Sequence, residues 1–196
     1  MNVGIYIYDQ AEVLDFAGPF EVFSTAARVC PDSDPFTVFL VSETGAMVTA
    51  RAGFCVAPAY GFASHPAIDL LIVVGGVHTA EMLKPQVIAW IAQQAKTARL
   101  VASVCTGAFL LAAAQVITTE PVTTHWEDIP DLRRQYPQLE VRSGIRWVDA
   151  ETVVTSGGIS AGIDMSLYLV SKLHSQALAV QTAKQMEFDW SSPVEP

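Results

Sequence analysis

Basic residues are scarce in this chain: eleven Lys and Arg stand against twenty Asp and Glu, giving a net charge of −9, and the cations are scattered without forming a run. A surface of that sign repels phosphate backbones and anionic bilayers, so neither nucleic acid nor a membrane surface is an expected partner. Cysteine is equally sparse. Cys30, Cys55 and Cys105 are odd in number and lack the close pairing of a disulfide framework, a zinc site or a redox motif, which suits reduced thiols in a cytoplasm. His65, His78, His125 and His174 show no helix-face spacing that would hold a metal, so neither a metal nor another cofactor is expected. The N-terminus opens directly on the strand-like run Val3-Gly-Ile-Tyr-Ile-Tyr8, with Asp9 and Glu12 after it, a pattern that fits neither a signal peptide nor a membrane span. No stretch of linker composition interrupts the chain, and a single domain over residues 1–196 is expected.

Apolar residues are what the chain has in quantity. With 51% hydrophobic and 16% charged residues in 196, it can bury a large core. Val3 to Tyr8, Phe36 to Val41, Leu70 to Val74 and Leu100 to Val104 are short apolar runs, and the last two lack polar alternation, as strands buried on both faces of a parallel sheet do. Phe16, Phe20, Phe23 and Ala27 fall at helical spacing between the first two runs, and Val87, Ile91 and Ala95 do so between the last two. The order predicts an α/β sandwich, a mostly parallel sheet with helices on both faces. Arg146 to Asp149 and Thr152 to Thr155 then read as a tight strand-turn-strand, and Ser156-Gly-Gly-Ile-Ser-Ala-Gly-Ile-Asp164 as a glycine-rich entry into a long helix.

The segment Arg99-Leu-Val-Ala-Ser-Val-Cys105-Thr-Gly-Ala-Phe-Leu-Leu-Ala-Ala-Ala114 carries the chemistry. It places a cysteine where an apolar strand run ends and an alanine-rich helical run begins. A side chain there lies outside the carboxyl end of a strand, facing the first amides of the next helix, and those donors are expected to stabilise a thiolate and lower the cysteine pKa. By position alone a small buried hydrophobe is an equally good reading of Cys105. Gly75 and Gly76 follow the neighbouring strand run, where their amides, together with that of Thr106, could form an anion-stabilising pocket; a plain turn is the simpler alternative. Asp15 reads as a helix N-cap ahead of Phe16-Ala-Gly-Pro.

Five segments together resemble one family: Leu14-Asp-Phe-Ala-Gly-Pro-Phe-Glu-Val-Phe23, Val73-Val-Gly-Gly76, Ser103-Val-Cys-Thr-Gly107, Val122-Thr-Thr-His-Trp126 and Thr155-Ser-Gly-Gly-Ile-Ser-Ala-Gly-Ile-Asp-Met-Ser-Leu167. They occur in the order seen in the ThiJ/PfpI superfamily, and within it the chain is most similar to isocyanide hydratases and to the amidotransferase-like sensor domain of AraC-type regulators. The resemblance implies a flavodoxin-like sandwich with a nucleophile elbow, usually in a homodimer. It implies that Cys105 is the nucleophile and that the carboxyl group of Asp15 reaches its sulfur, where like-charge repulsion would raise the carboxyl pKa. Glu21, six residues on, belongs to another side of the helix. In the protease-like branch a histidine directly follows the cysteine; here Thr106 does, which argues against peptidase activity. His125 is accordingly read as a hydrogen-bonded strand-end residue rather than a base. Relatives usually have a glycine turn after the elbow helix, where this chain has Ala114-Gln-Val-Ile-Thr-Thr-Glu-Pro121.

Three functions are compatible with this reading. One is a hydratase in which Cys105 attacks an isocyanide, Asp15 manages the proton, and Phe16, Trp126 and Ile159 line the pocket of a small uncharged electrophile. Another is a ligand-sensing module related to AraC-type regulators; against it stand the absence of a helix-turn-helix segment and the negative charge. A glyoxalase or deglycase would use the same cysteine and acid. Because Cys105 alone of the three cysteines sits at a helix N-terminus, it is the thiol expected to have the lowest pKa and to react first, with Cys30 and Cys55 slower.

Overall fold

In the computed structural model, which describes residues 1–31 and 34–190, the apolar runs become the buried centre of a layered α/β structure. The elements in chain order are β1 (Asn2–Tyr6), α1 (Val13–Val29), β2 (Thr37–Ser42), β3 (Val48–Thr49), β4 (Cys55–Val56), β5 (Tyr60–Gly61), β6 (Leu70–Val73), α2 (Thr79–Met82), α3 (Pro85–Ala95), β7 (Leu100–Val104), α4 (Gly107–Ala113), β8 (Pro121–Val122), α5 (Ile129–Gln135), β9 (Glu140–Val141), β10 (Trp147–Ala150), β11 (Val153–Ser156), α6 (Ala161–Leu173) and α7 (Gln176–Gln185). The main sheet of the described residues has seven strands in the order β10-β11-β7-β6-β1-β2-β5. All its pairings are parallel except the β10–β11 hairpin, where Trp147 opposes Ser156. Every residue of β6 and β7 is buried, as expected of strands covered on both faces. Helices α1, α6 and α7 pack together as one layer, and α2, α3 and α4 as another. The sandwich read from the sequence is therefore the observed fold. Residues 191–196, which the single-domain reading includes, lie outside the described residues.

The sequence did not announce the short elements. β3 and β4 form a two-residue hairpin, and β8 and β9 pair in parallel. Pairs that short carry no periodicity, because two residues cannot display an alternation.

The topology fixes where a site can form. The chain leaves β1 for β2 on one side and returns through β6 to the other, so the strand order reverses between β1 and β6. Connections diverge there and leave a crevice at the carboxyl ends of the strands. The segments after β1, β6 and β7 all open into it. Gly107 permits the tightest of these approaches: a Cβ on it would stand 2.1 Å from the Val73 carbonyl oxygen. The elbow helix thus rests its first residue on the end of β6. At the other end of α4, Gln115 takes a left-handed φ of 56° where relatives were expected to use glycine. A non-glycine residue can hold that conformation at about 1 kcal/mol of strain, so the missing glycine does not prevent the turn.

Gly107→Ala is expected to destabilise the fold by roughly 3 kcal/mol, since the obstructing atom is backbone and cannot rotate away. In Gly4→Ala the three atoms nearest the new methyl all belong to the side chain of Ile68 rather than to backbone, so the loss should be clearly smaller. Urea unfolding of the two variants checks the order.

Candidate functional site

Cys105 stands between the end of β7 and the start of α4 with φ of 56°, a strained conformation for a residue with a Cβ. Hydrogen bonds hold it there from both sides. Its N–H donates to the carbonyls of Ser156 and Gly157, both at 3.2 Å, and its carbonyl accepts from the Thr124 hydroxyl at 2.8 Å. The side chain is 7% exposed and borders a pocket of about 260 Å³ lined also by Glu12, Arg51, Gly76, Thr106, His125, Glu127, Asp128 and Ile159.

Asp15 reaches this place from α1, which begins two residues before it, so it is a first-turn residue and not the N-cap that its sequence context suggested. Its carboxylate is wholly buried and caps no amide of its own helix. Oδ2 accepts from the Gly75 N–H at 3.2 Å and Oδ1 from the Ile159 N–H at 3.0 Å. The Cys105 thiol interacts with the same carboxylate. One carboxylate thus joins the segments that follow β1, β6 and β11 around the sulfur. Glu21 is exposed and accepts from the Thr25 hydroxyl on its own helix, away from the site.

Both members of the pair are poor acids here. Burial pushes the Asp15 carboxyl up to about 7, with the charge of Glu12 adding to it and the Ile159 and Gly75 amides opposing. Burial likewise pushes the Cys105 thiol well above the ordinary cysteine range; the Asp15 charge adds to this, and the Thr106 amide offsets only part. The expected lowering by helix amides is therefore overturned. α4 has only seven residues, and desolvation of a sulfur beside a carboxylate outweighs one amide donor. Two adjacent anions are excluded, so near neutrality the pair retains a proton.

The other predicted residues divide. Thr106 lies beside the sulfur, with its hydroxyl bonded to the N–H and carbonyl of Gly76, 3.0 Å each. The Gly75 and Gly76 amides are thereby occupied by Asp15 and Thr106, which leaves the Thr106 amide alone facing the sulfur in place of the three-amide pocket expected. Gly75 still needs to be glycine, because a Cβ there would stand 2.5 Å from the Thr106 nitrogen. Ile159 lines the pocket with φ of 57°. Phe16 does not line it; it is buried in the core against Phe54. Trp126 is 74% exposed and borders a neighbouring groove of about 370 Å³ with Ile129, Pro130 and Ile145. The pocket at Cys105 is consequently more polar than expected. His125, set aside as a strand-end residue, lines it, with Nδ1 at 3.4 Å from Asp128. The Thr124 bond to the elbow carbonyl brings that ring to the site, a contact that no sequence spacing reveals. Among the described residues no group of three or more His, Cys, Asp or Glu is arranged to hold a metal ion.

Comparison with known proteins agrees with this geometry. The DJ-1/PfpI family profile matches residues 1–172. The chain belongs to the DJ-1/PfpI family. It is 31% identical over 194 residues to the isonitrile hydratase of Pseudomonas putida, spanning 98% of this chain and 81% of that protein. It is 24% identical over 188 residues to the HTH-type transcriptional regulator GbdR of Pseudomonas aeruginosa, spanning 96% of this chain but only 51% of the regulator. The fold superposes with a TM-score of 0.85 and 24% identity on a ThiJ/PfpI family protein from Pseudomonas syringae, covering 99% of this chain and 77% of that one. DJ-1/PfpI membership thus accounts for the elbow and sandwich, and enzymes and regulators alike share this domain.

If the Asp15 charge helps to hold the thiol protonated, Asp15→Asn should speed alkylation of Cys105 by iodoacetamide at pH 8 by roughly tenfold, since one pKa unit is worth that much thiolate. Peptide mapping of timed samples measures it. An unchanged or slower rate contradicts the assigned repulsion.

Proposed function

We propose that this protein is a cysteine-dependent hydratase that converts an isocyanide to an N-substituted formamide, with Cys105 as nucleophile and Asp15 as proton carrier. The observation that carries the reading is the 31% identity to an isonitrile hydratase across nearly the whole chain, joined to a buried thiol–carboxyl pair in one pocket. The polar lining does not oppose a small uncharged substrate: Glu12 pairs with Arg51 at 3.4 Å, and Glu127 and Asp128 lie 3.8 Å and 3.4 Å from the His125 Nδ1.

The proposed steps balance without a cofactor. The Asp15 carboxylate takes the thiol proton as the sulfur lone pair attacks the terminal carbon, and the carboxylic acid returns that proton to the same carbon, giving a thioformimidate. Water then adds to this carbon with Asp15 accepting one of its protons, which passes to the substrate nitrogen. Collapse to the formamide breaks the carbon–sulfur bond, and the last proton goes back to sulfur. The Thr106 amide, the donor that faces sulfur, favours the thiolate as it leaves. The resemblance to GbdR supports a second reading, a pocket that binds a metabolite without turnover. The homodimer implied by the family is part of the proposal, supported by exposed Leu14, Met47 and Phe54.

Purified protein should convert p-nitrophenyl isocyanide over many turnovers without added metal or nucleotide, and Cys105→Ala should abolish conversion. Asp15→Asn should lower kcat roughly 10²–10⁴-fold, the usual range for a lost general acid–base. No product from a panel of isocyanides, with Cys105 shown reduced by mass spectrometry, overturns the hydratase reading. A parallel assay with methylglyoxal then tests the aldehyde alternative.

The pH profile has a definite sign. Below the Asp15 pKa of about 7 both carboxyl and thiol are protonated and no base is available; above it the carboxylate can take the thiol proton. kcat/KM should therefore rise through an apparent pKa near 7, and Asp15→Asn should remove that limb.

A further inference from the structure

Helices α1 and α6 both start at the Cys105 pocket, where α1 contributes Asp15 and Ile159, two residues before α6, donates its amide. Their far ends meet as well. Cys30 caps the carboxyl end of α1 and His174 that of α6, about 22 Å along the helix from Asp15. There the Cys30 Sγ lies 3.9 Å from His174 Nε2, and the ring's Nδ1 lies 3.1 Å from the Ser175 hydroxyl oxygen. That oxygen already accepts the Leu178 N–H at 3.2 Å as the N-cap of α7. In the tautomer whose Nδ1–H donates to that oxygen's remaining lone pair, an unprotonated Nε2 faces the thiol. Nucleophile, base and a third group that orients the base are thus in sequence, the arrangement by which a weak nucleophile is activated.

The group is also accessible. Among the described residues, Cys30, Pro31, His174, Ser175, Ala177, Leu178 and Gln181 line a pocket of about 230 Å³, and none of these is a carboxylate, lysine or arginine. Such a lining suits a small, neutral partner. Gln181 ties α7 to α1 through a 3.1 Å bond to the Val29 carbonyl, so the walls of the pocket are linked.

We propose that Cys30 and His174 form a second thiol–imidazole centre, separate from Cys105, that is modified by small neutral α,β-unsaturated carbonyl compounds. The sulfur lone pair forms a bond to the β-carbon while the thiol proton passes to Nε2, and the resulting enolate takes that proton back at its α-carbon. The product is a thioether. Nothing is released, and no oxidant is required.

Cys55 provides the internal reference, because it is exposed and its thiol donates to the Gly53 carbonyl at 3.6 Å, with no imidazole or other base among its hydrogen-bond partners in the described residues. The intact protein is treated with substoichiometric N-ethylmaleimide, and the adducts at Cys30 and Cys55 are quantified by peptide mass mapping. Cys30 is expected to be labelled several-fold faster than Cys55 despite its lower exposure, and His174→Gln to abolish that advantage with the Cys55 rate unchanged. Labelling of Cys30 no faster than Cys55 in the wild-type protein overturns the proposal, whether or not the variant folds. A wild-type advantage that persists in folded His174→Gln overturns it too, since the imidazole would then play no part.

Discussion

A carboxyl group and a thiol share one dry site, and much of the surrounding architecture serves to hold them there. Among the described residues the buried Asp15 has no cationic partner; two backbone amides and the neighbouring thiol stand in place of one. Unpaired charge in such a place is costly unless the group keeps a proton or is well hydrogen-bonded. Asp15 does both, according to pH. The amides that satisfy it come from the ends of two separate strand-to-helix connections, so the carboxylate also fixes the geometry around Cys105. Chemistry and local structure thus depend on the same bonds.

The elbow meets a second requirement. A cysteine at positive φ costs strain, which persists only where surrounding contacts over-determine it. Here the contacts are two carbonyls on the Cys105 amide, a threonine hydroxyl on its carbonyl, and the close seat of Gly107 on β6. The strain projects the sulfur out of the sheet and into the crevice where the strand order reverses.

Much of this was legible in the sequence. β7 was read to the residue, because an apolar run with no alternation can only be a strand buried on both sides or part of a buried helix, and its length decided between them. The helix carrying Asp15 was legible from the spacing of Phe16, Phe20 and Phe23, and the link from Asp15 to Cys105 came from the family resemblance. The sign of the thiol shift was not legible. Sequence displays the amides next to Cys105 but not the burial around it, and burial decides the sign. For the same reason the Gly75 and Gly76 amides looked free until the partners that occupy them were in view. That His125 lines the pocket was not legible, because its route there runs through the Thr124 side chain rather than through any motif.

Asp15 keeps its proton to near neutrality because it is buried beside Cys105. Difference infrared titration of the wild-type protein against Asp15→Asn observes the carboxylic acid carbonyl band directly. The band is expected to persist through pH 5 and 6 and to disappear with a midpoint near 7. A carboxyl already ionised at pH 5 would contradict it.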